Sequence, residues 1–263
     1  MDNTKQSIYK KIKKSLLEIA ARTGSRHVHI GSCLSCFDIM FQTLLYEMKT
    51  QDKFILSKGH AALSLYVILN HQKKISKQIL NTYLTDGTFL GIHPSSAFPK
   101  HIPLPTGSLG HGLSFACGLS KGYSLNKNKF SPRAYCLLSD GECNEGTVWE
   151  AALFASKHKL NNLIVLIDKN DFQAFGRTKD VLGIAASVDK WQAFGFNVVE
   201  CDGHALNKIK KAFDEIKRKN NRKPNVIIFK TIRGKGVRSI EDKLASNYAP
   251  ILQDDLRVIL NEP

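Results

Sequence analysis

The chain has 263 residues, 43% hydrophobic and 23% charged, the proportions of a globular protein with a full core that needs no disulfide or metal staples. That composition excludes collagen-like, coiled-coil and long disordered chains, and no apolar run approaches the roughly 18–20 residues of a membrane span. Lys and Arg outnumber Asp and Glu by 38 to 23, a net charge of +15 that is spread out and unaccompanied by any nucleic-acid motif, so solvated helix faces are expected and no nucleic-acid or membrane partner.

In chain order, Ile8, Ile12, Leu16 and Ile19 predict a helix over 4–22; its lysine-bearing start does not read as a signal peptide. Ser35 and Asp38 resemble a capping box opening a second helix that runs to about Met48. A short strand at Phe54–Leu56 leads to a turn at Gly59, and helices follow near 61–71, 76–84 and 109–125. The second half alternates more cleanly. Strands are predicted at 135–138, 163–167, 197–200 and 225–231, with helices near 147–159, 188–194 and 205–219. Uninterrupted apolar strands between helices imply an α/β fold, a doubly wound and mainly parallel sheet with helices on both faces. The whole chain, 1–263, reads as one domain with a helical N-terminal segment and a C-terminal tail from about 234.

Six Cys are present. Cys33 and Cys36 form a lone C-x-x-C without a second pair, so reduced thiols in a cytoplasmic protein are the simplest reading.

Ligands of such sheets sit beyond the carboxyl ends of the strands. Two adjacent strand–helix units end there in Asp140-Gly141 and, about thirty residues later, Asn170. That separation is one crossover, so two hard oxygen ligands can converge at one sheet edge. Oxygen donors suit Mg²⁺ or Ca²⁺ better than Zn²⁺, and Gly141 lets the backbone approach a phosphate. On spacing alone, a magnesium–diphosphate site stands beside the plainer reading of Asp-Gly as a turn.

The stretch SDGECNEGTVWE (139–150) through Asn170 resembles the thiamine-diphosphate signature, and NLIVLIDKNDFQAFGRT (162–178) is similar to the matching part of transketolases. So are VHIGSCLS (28–35), ILSKGHAAL (55–63), GIHP (91–94), TGSLGHGLSFACG (106–118), VVECDGH (198–204) and FKTIRGKGV (229–237), in family order. The resemblance is to the N-terminal, diphosphate-binding half of transketolase as found in split, two-subunit members.

This resemblance implies a thiamine-diphosphate-binding fold. Mg²⁺, with Ca²⁺ or Mn²⁺ as substitutes, would be held by the Asp140 and Asn170 side chains and the Phe172 carbonyl. Gly141 and Glu142 would lie along the diphosphate, and Gly107, Ser108 and Leu109 would receive the aminopyrimidine. His60 would contact cofactor and substrate, while His29 and His93 would line the substrate channel. Glu145 would link two active sites across a subunit interface. Trp149, Ala151, Ala152 and Ala155 read as core. Arg233, Lys235 and Arg238 read equally as phosphate-facing or as a solvated loop.

Departures from the family pattern fall at Val28 and Ser139, where Gly is usual, at His111, where Gln is common, and at Asn247, which stands where many members carry His. The implied activity is two-carbon ketol transfer between sugars or sugar phosphates. It would require a C-terminal partner subunit carrying the pyrimidine-binding half, two copies of each forming a heterotetramer. Another thiamine-diphosphate-dependent ligation or decarboxylation, and a non-catalytic anion-binding protein of the same fold, remain alternatives.

Overall fold

The computed structural model describes residues 3–24, 28–125, 132–219, 221–247, 249–251 and 254–257. His27 and Tyr248 lie outside the described residues, as does the side chain of Asn247.

The predicted strands form β1 (Lys53–Leu56), β2 (Ala134–Ser139), β3 (Leu163–Lys169), β6 (Asn197–Asp202) and β7 (Asn225–Lys230). They make one sheet in the order β1-β2-β3-β7-β6, every pair parallel. Alternate residues of each strand enter two separate cores. Tyr135, Leu137, Ile164, Leu166 and Ile227 face one side; Cys136, Leu138, Val165, Ile167 and Ile228 face the other. Both faces are therefore covered, which is why the strands read as unbroken apolar runs rather than alternating ones.

One core is closed by α1 (Asn3–Arg22), α2 (Ile30–Gln42), α3 (Ala62–His71) and α9 (Leu206–Arg218). The other is closed by α5 (His111–Leu125), α6 (Gly146–Lys157) and α8 (Val188–Ala193). On α6 the small residues Ala151, Ala152 and Ala155 are buried, while Trp149 is partly buried against Trp191 and Phe194. Short helices α4 (Lys77–Asn81) and α7 (Thr178–Val181) and an antiparallel pair, β4 (Phe172–Gln173) with β5 (Gly176–Arg177), complete the framework. The tail beyond residue 234 packs onto the first core through Val237, Ile240, Ile251 and Leu256. All six Cys are free thiols, five of them buried.

Two expectations change. Helix α2 starts at Ile30, five residues before the supposed cap, and ends in a π-helical turn, Thr43–Glu47. Ser35 lies in its interior, where the hydroxyl donates to Asp168 and to the Ser32 carbonyl instead of capping. The β4–β5 pair, unpredicted, is too short to show a strand period.

The chain order reverses at β3 and β7. β1, β2 and β3 step one way across the sheet, whereas β6 and β7 step back towards β3. Loops after β3 and β7 consequently diverge and leave a crevice at their carboxyl ends, the place where such sheets bind ligands.

Candidate active site

A cleft of about 540 Å³ occupies that crevice. Its walls come from most of the segments that the sequence marks, though not from 198–204: His29 ahead of α2, His60 after β1, His93 and Gly107 in the loop before α5, Gly141 after β2, and Asn170 and Phe172 after β3. The ring of His29 lies 5.7 Å from that of His60 and 6.1 Å from that of His93, between centroids. Three histidines from three loops thus share one wall. His60 is held well below the ordinary imidazole range, first by burial and then by the charge of Lys58, so its ring is neutral near pH 7.

Asp140 and Asn170 are almost fully buried. The Asp140 carboxylate accepts from the Gly141 amide at 2.9 Å, the Asp171 amide at 2.6 Å and the Thr178 hydroxyl at 3.3 Å. Burial, then the nearby Asp168 carboxylate, pushes its pKa up to about 7, against the opposing pull of the backbone amides. A carboxyl group raised in this way gains most from a cation placed beside it. Asn170 accepts at Oδ1 from the Phe172 amide at 3.1 Å.

Among the described residues no three His, Cys, Asp or Glu side chains cluster as a metal site. One carboxylate, one amide oxygen and a backbone carbonyl nevertheless suit Mg²⁺, which takes few protein ligands and completes its shell with water and phosphate oxygens. Gly141 fits the same picture. A Cβ there would stand 2.8 Å from Cβ of Gln173, so glycine is what lets the β4–β5 pair close over the turn.

Some expected residues sit elsewhere. The Glu142 side chain does not line the cleft. It is fully buried and accepts from the Ser57 hydroxyl, from the Gly110 amide at 2.9 Å and from the Ser139 amide at 3.2 Å. Three inward donors outweigh the cleft for this carboxylate, and it ties the exits of β1 and β2 to the start of α5. Ser139 accommodates its Cβ here, its hydroxyl accepting from the Glu142 amide at 3.2 Å. Ser108 is exposed and off the cleft wall, between the lining residues Gly107 and Leu109. Glu145 lines the cleft mouth and is exposed in the single chain.

Sequence reasoning missed two features. Arg233, left open between loop and site, is 4% exposed and lines the cleft, its guanidinium 3.4 Å from the Ser32 hydroxyl. Beneath the cleft, Lys58 and Asp168 form an ion pair with no exposed surface. Burial works against the Lys58 charge, but Asp168 outweighs it and holds the ammonium above its usual range. Asp168 is in turn held below the usual carboxylate range despite its burial, chiefly by Lys58. A Lys at a strand exit and an Asp inside an apolar run were the available signals.

Residues 29–262 match the family described as transketolase, thiamine diphosphate binding domain. An apulose-4-phosphate transketolase subunit from Phocaeicola vulgatus is 35% identical over 242 residues, spanning 88% of this chain and 83% of that one. A 6-deoxy-6-sulfo-D-fructose transketolase subunit from a Clostridium species is 33% identical over 252 residues, 92% of this chain and 90% of that one. Human transketolase is 35% identical over 260 residues, 93% of this chain but 40% of the human one. Transketolase from Campylobacter jejuni superposes with a TM-score of 0.88 at 25% identity, covering 98% of this chain and 42% of that one.

Fold and cleft together define an α/β domain that binds thiamine diphosphate. The chain belongs to the transketolase family, as the N-terminal, thiamine-diphosphate-binding part of a transketolase-type transferase.

Proposed function

We propose that this chain is the diphosphate-binding subunit of a split transketolase. With a partner subunit bearing the pyrimidine-binding half, it transfers a two-carbon ketol unit between sugars or sugar phosphates. Convergence of His29, His60 and His93 with Gly141 and Asn170 on one cleft, with the buried Asp140 carboxylate accepting from the Gly141 amide just behind its wall, carries the reading. The similar transketolase subunits from Phocaeicola vulgatus and Clostridium, whose lengths this chain nearly spans, support the split arrangement and the substrate class.

When bound, thiamine diphosphate supplies the carbon nucleophile needed to break and form a C–C bond beside a carbonyl. Asp140, Asn170 Oδ1 and the Phe172 carbonyl would hold Mg²⁺. Gly141 and Arg233 would face the diphosphate, and Gly107 and Leu109 the aminopyrimidine. A neutral His60 can accept or donate one hydrogen bond, and with His29 and His93 it would orient the sugar hydroxyls and move a proton from one of them. Glu145 would meet the partner side of the cleft. Two copies of each subunit give the simplest closed assembly, and the buried free thiols fit the cytoplasm.

Removing the one carboxylate assigned to the metal is the direct test. Asp140→Ala should weaken Mg²⁺-dependent binding of thiamine diphosphate at least tenfold by calorimetry, and Asn170→Ala should act in the same direction, less strongly. Unchanged affinity in Asp140→Ala overturns the site. Turnover of a ketose phosphate against a 2-oxoacid by the assembled enzyme separates ketol transfer from decarboxylation.

A further inference from the structure

The fully buried Asp168 carboxylate, at the end of β3, collects four side-chain donors. The Thr231 hydroxyl bonds to one oxygen; the Ser35 hydroxyl, the Lys58 ammonium and the Asn170 amide nitrogen, the last at 3.0 Å, bond to the other. These donors come from α2 and from the segments that follow β1, β3 and β7. An ionised carboxylate only accepts, whereas the two ends of an asparagine amide differ only in being donor or acceptor. Whatever faces Asp168 must therefore donate. Asn170 is forced to turn its nitrogen inward, and its oxygen is left on the cleft side, where the Phe172 amide also meets it at 3.1 Å.

We propose that Asp168, neutralised by Lys58, is a positioning residue that fixes the amide orientation of Asn170 so that its oxygen is presented to the divalent cation. This rests on the reading of Asn170 as a metal ligand. Lys58 makes the arrangement tolerable, because an uncompensated carboxylate at that depth would be strongly disfavoured. Hydrogen-bond partners of metal ligands typically contribute 10–100-fold in metal affinity.

The test titrates Mn²⁺ into the full chain with thiamine diphosphate present, following free Mn²⁺ by electron paramagnetic resonance. Asp168→Asn should weaken Mn²⁺ binding about 10–100-fold, since an asparagine there can present either end to Asn170. That variant strands the Lys58 charge, so the pair Lys58→Met with Asp168→Asn removes both charges together and should show the same loss in a folded chain. Adding Asn170→Asp to the pair should restore affinity to within a few-fold, because a carboxylate presents oxygen whichever way it turns. The same change in the wild-type background sets two carboxylates face to face and should give no gain, which separates orientation from added charge. In the metal-free chain, the Asn170 side-chain amide signal should show a slowly exchanging proton that disappears in Asp168→Asn.

Wild-type Mn²⁺ affinity in the Lys58–Asp168 pair variant, alongside a loss in Asn170→Ala, overturns the positioning role and leaves the ligand assignment standing. Full affinity in Asn170→Ala overturns the ligand assignment, and the positioning role with it. A loss in the pair variant that Asn170→Asp fails to recover reduces Asp168 to a structural role and likewise overturns the proposal.

Discussion

At the residue scale, one loop holds a neutral histidine beside a buried cation. His60 follows Lys58 by two positions, and burial together with that ammonium keeps the imidazole uncharged in the folded chain. In the unfolded chain it takes up a proton as pH falls through about 6.5. Its contribution to stability is therefore complete above that pH and declines below it, by up to about 1.4 kcal/mol per pH unit. Between pH 7.5 and 5.5 the wild type should lose about 1 kcal/mol more than His60→Asn, read from urea unfolding at the two values. Equal losses would show that the folded imidazole does charge in this range. Glu142 depends on its surroundings in a related way. A carboxylate next to a glycine expected to face the diphosphate reads as a site residue, yet the three donors on its inner side decide where it points.

At the element scale, the cleft depends on loops seated against strand exits. Gly59 lets the loop before α5 lie on the end of β1, where the Thr106 hydroxyl donates to the Leu56 carbonyl at 2.7 Å. A Cβ at Gly59 would come within 2.7 Å of the Thr106 carbonyl oxygen, a backbone atom that cannot swing aside. Gly59→Ala should cost about 1–3 kcal/mol and weaken cofactor binding, because Gly107 and Leu109 follow directly. Gly118→Ala is the matched control. It lies on an exposed stretch of α5 with nothing within 4 Å of its added Cβ, and should stabilise the chain by up to about 1 kcal/mol. Chemical denaturation of both variants checks the contrast; equal effects would mean that the contact with Thr106 is slack.

At the scale of the whole molecule, the cleft opens beside apolar side chains that this chain does not cover. Phe175 is 88% exposed and Leu182 73%, and both line its mouth. Under the split-transketolase proposal they meet the partner subunit, in an obligate interface of the usual 2,000–5,000 Å² or so. The chain alone should show no ketol transfer, and adding the partner should switch on activity and tighten cofactor binding together. Changing both Phe175 and Leu182 to Ser should leave the circular dichroism of the isolated chain intact while loosening the assembly in sedimentation. Full activity from the chain alone would overturn the arrangement.

Strands, the class of sheet and the loops that carry chemistry could all be read from the order of residues. Those properties are local: unbroken apolar runs, a helix period, and polar residues where a strand must end. Asp140, Asn170 and His60 were legible because each follows a strand end, whereas His29 and His93, which lie on loops between helices, were legible only through the resemblance of their surrounding residues to the family. The direction in which those residues face came from the folded chain. Folding turned Glu142 inward, left Ser108 outside, brought Arg233 into the cleft, and joined Ser35, Lys58, Asp168 and Thr231 beneath it. These outcomes depend on hydrogen bonds between residues 110 and 142, or 35 and 168, and no spacing along the chain encodes such pairs. A buried polar group must find its partner wherever the fold brings one, so its direction is settled only when the core has closed.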